Sequence, residues 1–162
     1  MKDKVLIIAC GAVALELNQL KKLNSWDHLT IQCLDAKLHN TPKLIPGKIK
    51  EKLDAMSDDF SKVFVAYADC GTGGLLDALL EQYKVERLPG AHCYEFYSGS
   101  ETFKQLHENE IGTFYLTDFL VKHFDRLVIK GLGLDKYPDL KQEYFRHYKK
   151  ADPDKQRTGW ER

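Results

Sequence analysis

The sequence carries no net charge: 24 lysines and arginines balance 24 aspartates and glutamates. That balance, with no local cluster of basic residues, removes the electrostatic footprint of a nucleic-acid binder. No apolar run approaches the ~18–20 residues needed to cross a bilayer. The first ten residues, Met1 to Cys10, hold too short an apolar stretch for a secretory leader. The expectation is a soluble, cytoplasmic protein with no nucleic-acid and no membrane partner. Cys-x-x-Cys is also missing, which excludes a zinc ribbon and a thioredoxin-type motif. Internal repeats and low-complexity segments are absent. What is present is a chain of 162 residues, 43% hydrophobic and 11% aromatic, enough for a core of its own. We expect one α/β domain over residues 1–150 and a polar tail over 151–162.

The order of apolar segments specifies the fold class. Residues 4–9, 29–34 and 61–68 are short runs rich in Val, Ile, Leu and Phe, which read as buried parallel strands. Between them, Val13, Leu17, Leu20 and Leu23 recur at helical spacing, as do Ile45, Ile49, Leu53 and Met56. A further helix over 74–83 is expected to bury Leu75, Leu76, Leu79 and Leu80, with a short fourth strand at 85–88. Alternating strands and helices predict right-handed crossovers, and so a single open, mostly parallel sheet with helices on both faces. The C-terminal half reads as helical, over 101–108, 113–124 and 137–149. Residues 125–131 fit a strand or a helix end equally, and 131–135 read as a turn.

Four cysteines, Cys10, Cys33, Cys70 and Cys93, are spread along this frame. A cytoplasmic chain with a full core does not need them as a disulfide framework. Cys33 lies inside an apolar run and is expected to be a core thiol. Cys10-Gly11 and Cys70-Gly71 each follow a strand, and in an open parallel sheet ligands bind at that edge. Cys93 lies in the loop Pro89-Gly90-Ala91-His92-Cys93-Tyr94-Glu95, which leaves the fourth strand on the same edge. Three thiols converging there suit zinc. His39 is the alternative fourth ligand, and His92 would serve as a supporting group or a general acid/base. Asp69 and Glu95 are further candidates for moving protons. Two thiols at strand ends would equally suit a reversible disulfide without metal.

Asp69-Cys70-Gly71-Thr72-Gly73-Gly74 is a glycine-rich turn entering a helix, a pattern whose N–H groups bind anions. Gly71, Thr72 and Gly73 are therefore candidate binding residues. The Lys-Ser/Thr of a P-loop is missing, and so is the Gly-x-Gly-x-x-Gly spacing. A tight strand-to-helix turn capped by Thr72 accounts for the same residues.

Several blocks carry a family likeness: Ile8 to Ala12, Leu38-His39-Asn40-Thr41-Pro42, Tyr67 to Gly74, and Leu88 to Glu95, with further matches from Gly112 to Leu120 and from Tyr144 to Tyr148. Through them, over roughly residues 4–148, the sequence resembles the family known as domain of unknown function 1638. The resemblance makes Cys10, His39, Cys70, His92 and Cys93 motif residues and leaves Cys33 outside any block. It also implies an association with corrinoid-dependent methyl transfer, hence a methyltransferase partner, with corrinoid reached only through that partner. Relatives continue past the His-Tyr block with another strand and helix. An uncovered face here would then be covered by a second copy or a partner.

Three readings stand side by side. The first is an enzyme that uses zinc to activate a thiolate or water on a small thiol or methyl-group substrate. The second is a non-enzymatic accessory protein of corrinoid-dependent methyl transfer. The third is a metal-free redox thiol protein.

Overall fold

The computed structural model describes residues 4–56, 59–109 and 113–147. The expected tail over 151–162 lies outside them. Four parallel strands, β1 (Val5–Cys10), β2 (Leu29–Leu34), β3 (Lys62–Ala66) and β4 (Glu86–Arg87), form one sheet in the order β2-β1-β3-β4. Helix α1 (Ala14–Leu23) connects β1 to β2, α2 (Ile45–Met56) connects β2 to β3, and α3 (Leu75–Tyr83) connects β3 to β4. The first crossover runs toward one edge of the sheet and the next two run toward the other. With one handedness throughout, α1 covers one face while α2 and α3 share the opposite one. This is the expected α/β architecture. The strand order reverses between β1 and β3, which is where such sheets bind ligands.

Register decides what each face buries. Leu6 pairs with Val63 and Ile8 with Val65, so these side chains point to the same side of the sheet. Leu6, Ile8 and Val65 are fully buried there against Ile45, Ile49 and Leu53 of α2 and Leu76 and Leu80 of α3. Each such burial stabilises by ~1.5–3 kcal/mol. Of the side expected to be buried on α3, Leu79 packs on this core only in part and Leu75 is exposed. Lys52 of α2 reaches Gln32 of β2, which fixes Gln32 on that face too.

Cys33, one residue further along β2, faces the other way, on a strand at the sheet edge. It is exposed, not the core thiol the apolar run implied. The stripe on α1 also fails to become core: no residue of that helix is buried, and Leu23 is 81% exposed. Ile7 and Ile31, on the sheet face that α1 serves, are themselves only half-buried. Helical periodicity marks an apolar face, but burial needs a surface opposite it.

The chain divides into two compact units, Met1–Ser100 and Glu101 onward, a boundary inside the span expected as one domain. The whole sheet lies in the first unit, together with the short helix α4 (Glu95–Ser98). The second is helical, with α5 (Ser100–Asn109, beginning at the boundary), α6 (Asp118–Lys122) and α7 (Pro138–His147). Helix was expected throughout 113–124, yet residues 113–117 are irregular. Thr117 is extended, and its side chain accepts from the Leu120 N–H, so α6 begins at Asp118. The ambiguous run after it is a wide helical turn, Asp125–Ile129, that buries Leu127, Val128 and Ile129. Pro138 opens α7, where its missing N–H costs nothing. Among the described residues, no helix is long and apolar enough to cross a membrane.

Candidate functional site, a three-thiol centre at the strand ends

Cys10 is the last residue of β1, on the same face as Leu6 and Ile8. Its sulfur accepts from the Ala12 N–H at 3.5 Å and so caps the short turn Gly11–Val13. Gly11 lets the chain leave the strand, since a Cβ there would sit 2.9 Å from the Leu34 carbonyl oxygen. Ala9 pairs with Ala66 across β1 and β3. Continuing that register sets Tyr67 beside Cys10 on the same face.

Two turns position the other thiols. After β3 the chain bends at Asp69 and Cys70, and after β4 it bends at Pro89 and Gly90. Backbone bonds join the two bends: the Asp69 N–H donates to Gly90 O at 3.1 Å and the Cys70 N–H to Ala91 O at 2.8 Å. This join carries the 89–93 loop onto the Cys70 turn, and the sulfurs of Cys70 and Cys93 meet at 3.0 Å. Cys70 holds a left-handed conformation, φ 49°, that a non-glycine residue adopts at an energetic cost.

Two carboxylates organise these turns. The Asp69 carboxylate accepts from the N–H groups of Gly71, Gly73 and Gly74 at 3.0–3.2 Å and from the Thr72 hydroxyl at 2.7 Å. The anion seated in the glycine-rich nest is thus the chain's own, and Asp69, not Thr72, satisfies the N–H groups entering α3. The bond from Gly74 N–H leads in holding the Asp69 pKa down, to about 2. A carboxylate so occupied anchors a loop and does not exchange protons near neutrality. Glu95 is buried and accepts from the Ala91 N–H at 2.9 Å. Burial alone would raise its pKa, but bonds from Ser100, Ala91 and His92 outweigh that and lower it. Its carboxylate lies so close to Gly90 that a Cβ there would fall 2.5 Å from Oε2.

Arg87 and Tyr67 are parts that the sequence did not single out. Arg87 grips Asp77 of α3 through two bonds of 2.6 and 2.9 Å and donates to Leu88 O at 2.7 Å, tying the loop to the helix. It is a basic residue in a two-residue strand, which was its only signal. Tyr67 is 1% exposed, and its hydroxyl has no partner at hydrogen-bond geometry among the described residues. Burial raises its pKa, and the neighbouring sulfurs of Cys10, Cys93 and Cys70 raise it further, so it stays a protonated phenol facing the thiols. Its place opposite Cys10 depends on strand register, which is not visible in one sequence.

The thiols share protons unequally. The nearby Cys93 thiol is the main cause lowering Cys10 to about 7, with help from the Ala12 N–H and the nearby Tyr67 phenol against the effect of burial. Cys70 is lowered in the same way, again chiefly by Cys93. Cys93 is raised, chiefly by its contacts with Cys10 and Cys70. These contacts favour thiolate on Cys10 and Cys70 over Cys93.

The two histidines singled out in the sequence make other contacts. His39 is exposed on the turn Ala36–Asn40, where desolvation of its ring lowers its pKa. Pro42, three residues on, packs against Gly71. The His92 ring stacks on Tyr94 at 4.8 Å and interacts with the charge of Glu95. Among the described residues, no group of three or more His, Cys, Asp or Glu is disposed to hold a metal ion. Tetrahedral zinc thiolates, with ~2.3 Å bonds, hold their sulfurs about 3.8 Å apart. Cys70 and Cys93 are closer than that.

The fold and site together define an open α/β protein with a thiol centre at the switch point of its sheet. The chain belongs to the family of proteins of unknown function DUF1638, which matches residues 33–153. Cys70, Cys93 and their supporting loops fall within the matched span, and Cys10 precedes it. No curated protein and no solved structure matches the chain.

Proposed function

We propose that the protein carries out thiol–disulfide exchange on a small disulfide through Cys70 and Cys93. The observation that carries this reading is the 3.0 Å contact between their sulfurs, which a small shift converts to a bond of ~2.05 Å. The Cys70 thiolate attacks one sulfur of the small disulfide and displaces a thiolate. Cys93 then attacks the Cys70 sulfur, forming the protein disulfide and displacing the second thiolate. The proton that Cys93 held and one from solvent leave on the two small thiols. The substrate is reduced by two electrons and the cysteine pair is oxidised by two.

Zinc held by Cys10, Cys70 and Cys93 is the second reading. It is favoured by three sulfurs gathered beside a buried phenol, and it requires Cys70 and Cys93 to move apart. In either reading, a role beside a corrinoid methyltransferase would use these same thiols.

The test is to purify the protein without added metal, measure its zinc, and treat the reduced form with 2-hydroxyethyl disulfide. With Cys33, which is exposed, changed to Ser, we expect less than stoichiometric zinc, release of two small thiols per chain as the Cys70–Cys93 pair closes, and that linkage on peptide mapping. Cys93→Ser should stop at a mixed disulfide. Stoichiometric zinc that protects all three cysteines from oxidation would overturn exchange in favour of the metal. Absence of both zinc and an intramolecular disulfide would overturn both readings.

A further inference from the structure

Two features of the centre exceed what a simple dithiol needs. A third sulfur, Cys10, ends the strand beside β3 and lies in the same buried cluster as Cys70, with Cys93 packed against that cluster and touching Cys70. A buried tyrosine hydroxyl with no partner at bonding geometry faces the cluster from the register position opposite Cys10. Cys93 is also the most accessible of the three thiols, since Cys10 and Cys70 are each 7% exposed. The central residue of the three therefore has a cysteine on either side.

Building on the exchange reading, we infer that the disulfide migrates within the protein between Cys70–Cys93 and Cys10–Cys93, with Tyr67 as the residue that positions the Cys10 thiolate for attack. In the migration, the Cys10 thiolate attacks the Cys93 sulfur of the Cys70–Cys93 bond. A Cys10–Cys93 bond forms, the Cys70–Cys93 bond breaks, and the electron pair leaves on Cys70 as thiolate. Nothing is oxidised or reduced overall, so no external reagent enters this step.

The arrangement gives each participant a part. Cys10 sits at the start of a helical turn, where the Ala12 N–H stabilises a negative sulfur. Tyr67 stays protonated, and its hydroxyl, without a partner among the described residues, can turn its hydrogen to the same sulfur. Cys70 takes the negative charge as leaving group, with the Arg87 guanidinium in electrostatic range. Migration moves the bond from a pairing between two turns to one anchored on the central strand β1. Cys70 is then freed to meet a second small disulfide, which it takes up as a mixed disulfide with release of one small thiolate.

The test uses the full-length reduced protein with 2-hydroxyethyl disulfide, acid quench, and labelling of the remaining free thiol with N-ethylmaleimide before peptide mapping. Cys33, exposed on β2, is changed to Ser throughout so that it does not confuse the label. We expect label on Cys10 in one population and on Cys70 in another. Cys70→Ser should still form an intramolecular bond, now Cys10–Cys93, while Cys10→Ser should yield Cys70–Cys93 alone. Tyr67→Phe should slow migration at least threefold at pH 7 and shift its pH profile upward, with the rate recovered at pH 9. A merely structural tyrosine would not produce that profile. Label found only on Cys10 in the Cys33→Ser protein overturns the migration and leaves exchange standing, whether or not the other variants fold. Cys70→Ser halted as a mixed disulfide, in a folded protein by circular dichroism, overturns it equally. No intramolecular disulfide in either the wild type or the Cys33→Ser protein overturns the exchange reading itself, and migration with it.

Discussion

Replacing Asp69 by Asn is expected to destabilise the protein and loosen the thiol centre together, because one carboxylate anchors the turn that carries Cys70. Its two oxygens receive four donors: the N–H groups of Gly71, Gly73 and Gly74 and the Thr72 hydroxyl. An asparagine keeps one acceptor oxygen but turns an NH₂ group toward N–H donors, leaving two of them without an acceptor. The depression of the Asp69 pKa from 3.8 to about 2 sets the scale. At 1.36 kcal/mol per pKa unit it corresponds to ~2.4 kcal/mol, which solvent screening at this partly exposed site trims to about 1–2 kcal/mol. The folded pKa lies below the unfolded one, so this stabilisation is complete above pH ~5 and fades as pH falls toward 2. By pH 3 roughly half of it is gone. Urea denaturation of wild type and Asp69→Asn should therefore show a gap at pH 7 that narrows by about half at pH 3. The rate of Cys70–Cys93 closure with 2-hydroxyethyl disulfide should fall in parallel at pH 7. A stability gap that is absent at pH 7, or that stays constant between pH 7 and pH 3, would refute the assignment of Asp69 as an ionised loop anchor.

Other positions test the same structure by different means. Gly90→Ala places a methyl 2.5 Å from the Glu95 carboxylate at φ 101°, whereas Gly73→Ala at φ 62° meets nothing within 4 Å. Urea melts should show a loss of about 2–4 kcal/mol for the first and about 1 kcal/mol for the second. Because Cys70 is left-handed at φ 49°, Cys70→Gly should be more stable than Cys70→Ala by about 1 kcal/mol in the same assay, although both lack the thiol. Leu53→Ala, at a site with no exposure, is expected to cost ~2–5 kcal/mol. Leu23→Ala, at a site 81% exposed, should change stability by less than ~0.5 kcal/mol. Equal effects of these last two changes would show that the apolar stripe of α1 is core after all.

Much of the first unit was legible from local pattern. β2 occupies the expected residues 29–34, α2 buries Ile45, Ile49 and Leu53 of its expected stripe, and Cys10 ends β1, while the neighbouring strand, expected over 61–68, stops at Ala66, four residues before Cys70. These features depend on side-chain period and on the shortness of strand runs, which a chain carries wherever it folds. The exposure of Cys33 and of the α1 leucines could not be read this way, since each depends on which strand became the edge and what lay opposite. The glycine-rich turn was legible as an anion-holding nest, but its occupant, Asp69, required the turn to close on itself. Likewise, the sequence alone determined that thiols would gather at the carboxyl edge of a parallel sheet. Only the tertiary structure decided that Cys93 lies against Cys70 at 3.0 Å, because backbone bonds between residues 69–70 and 90–91 join two turns some twenty residues apart. Tyr67 became part of the centre for the same reason. The β1–β3 pairing that ends at Ala9 and Ala66 sets Tyr67 and Cys10 on one face, and pairing between segments distant in sequence leaves no mark on the periodicity of either one.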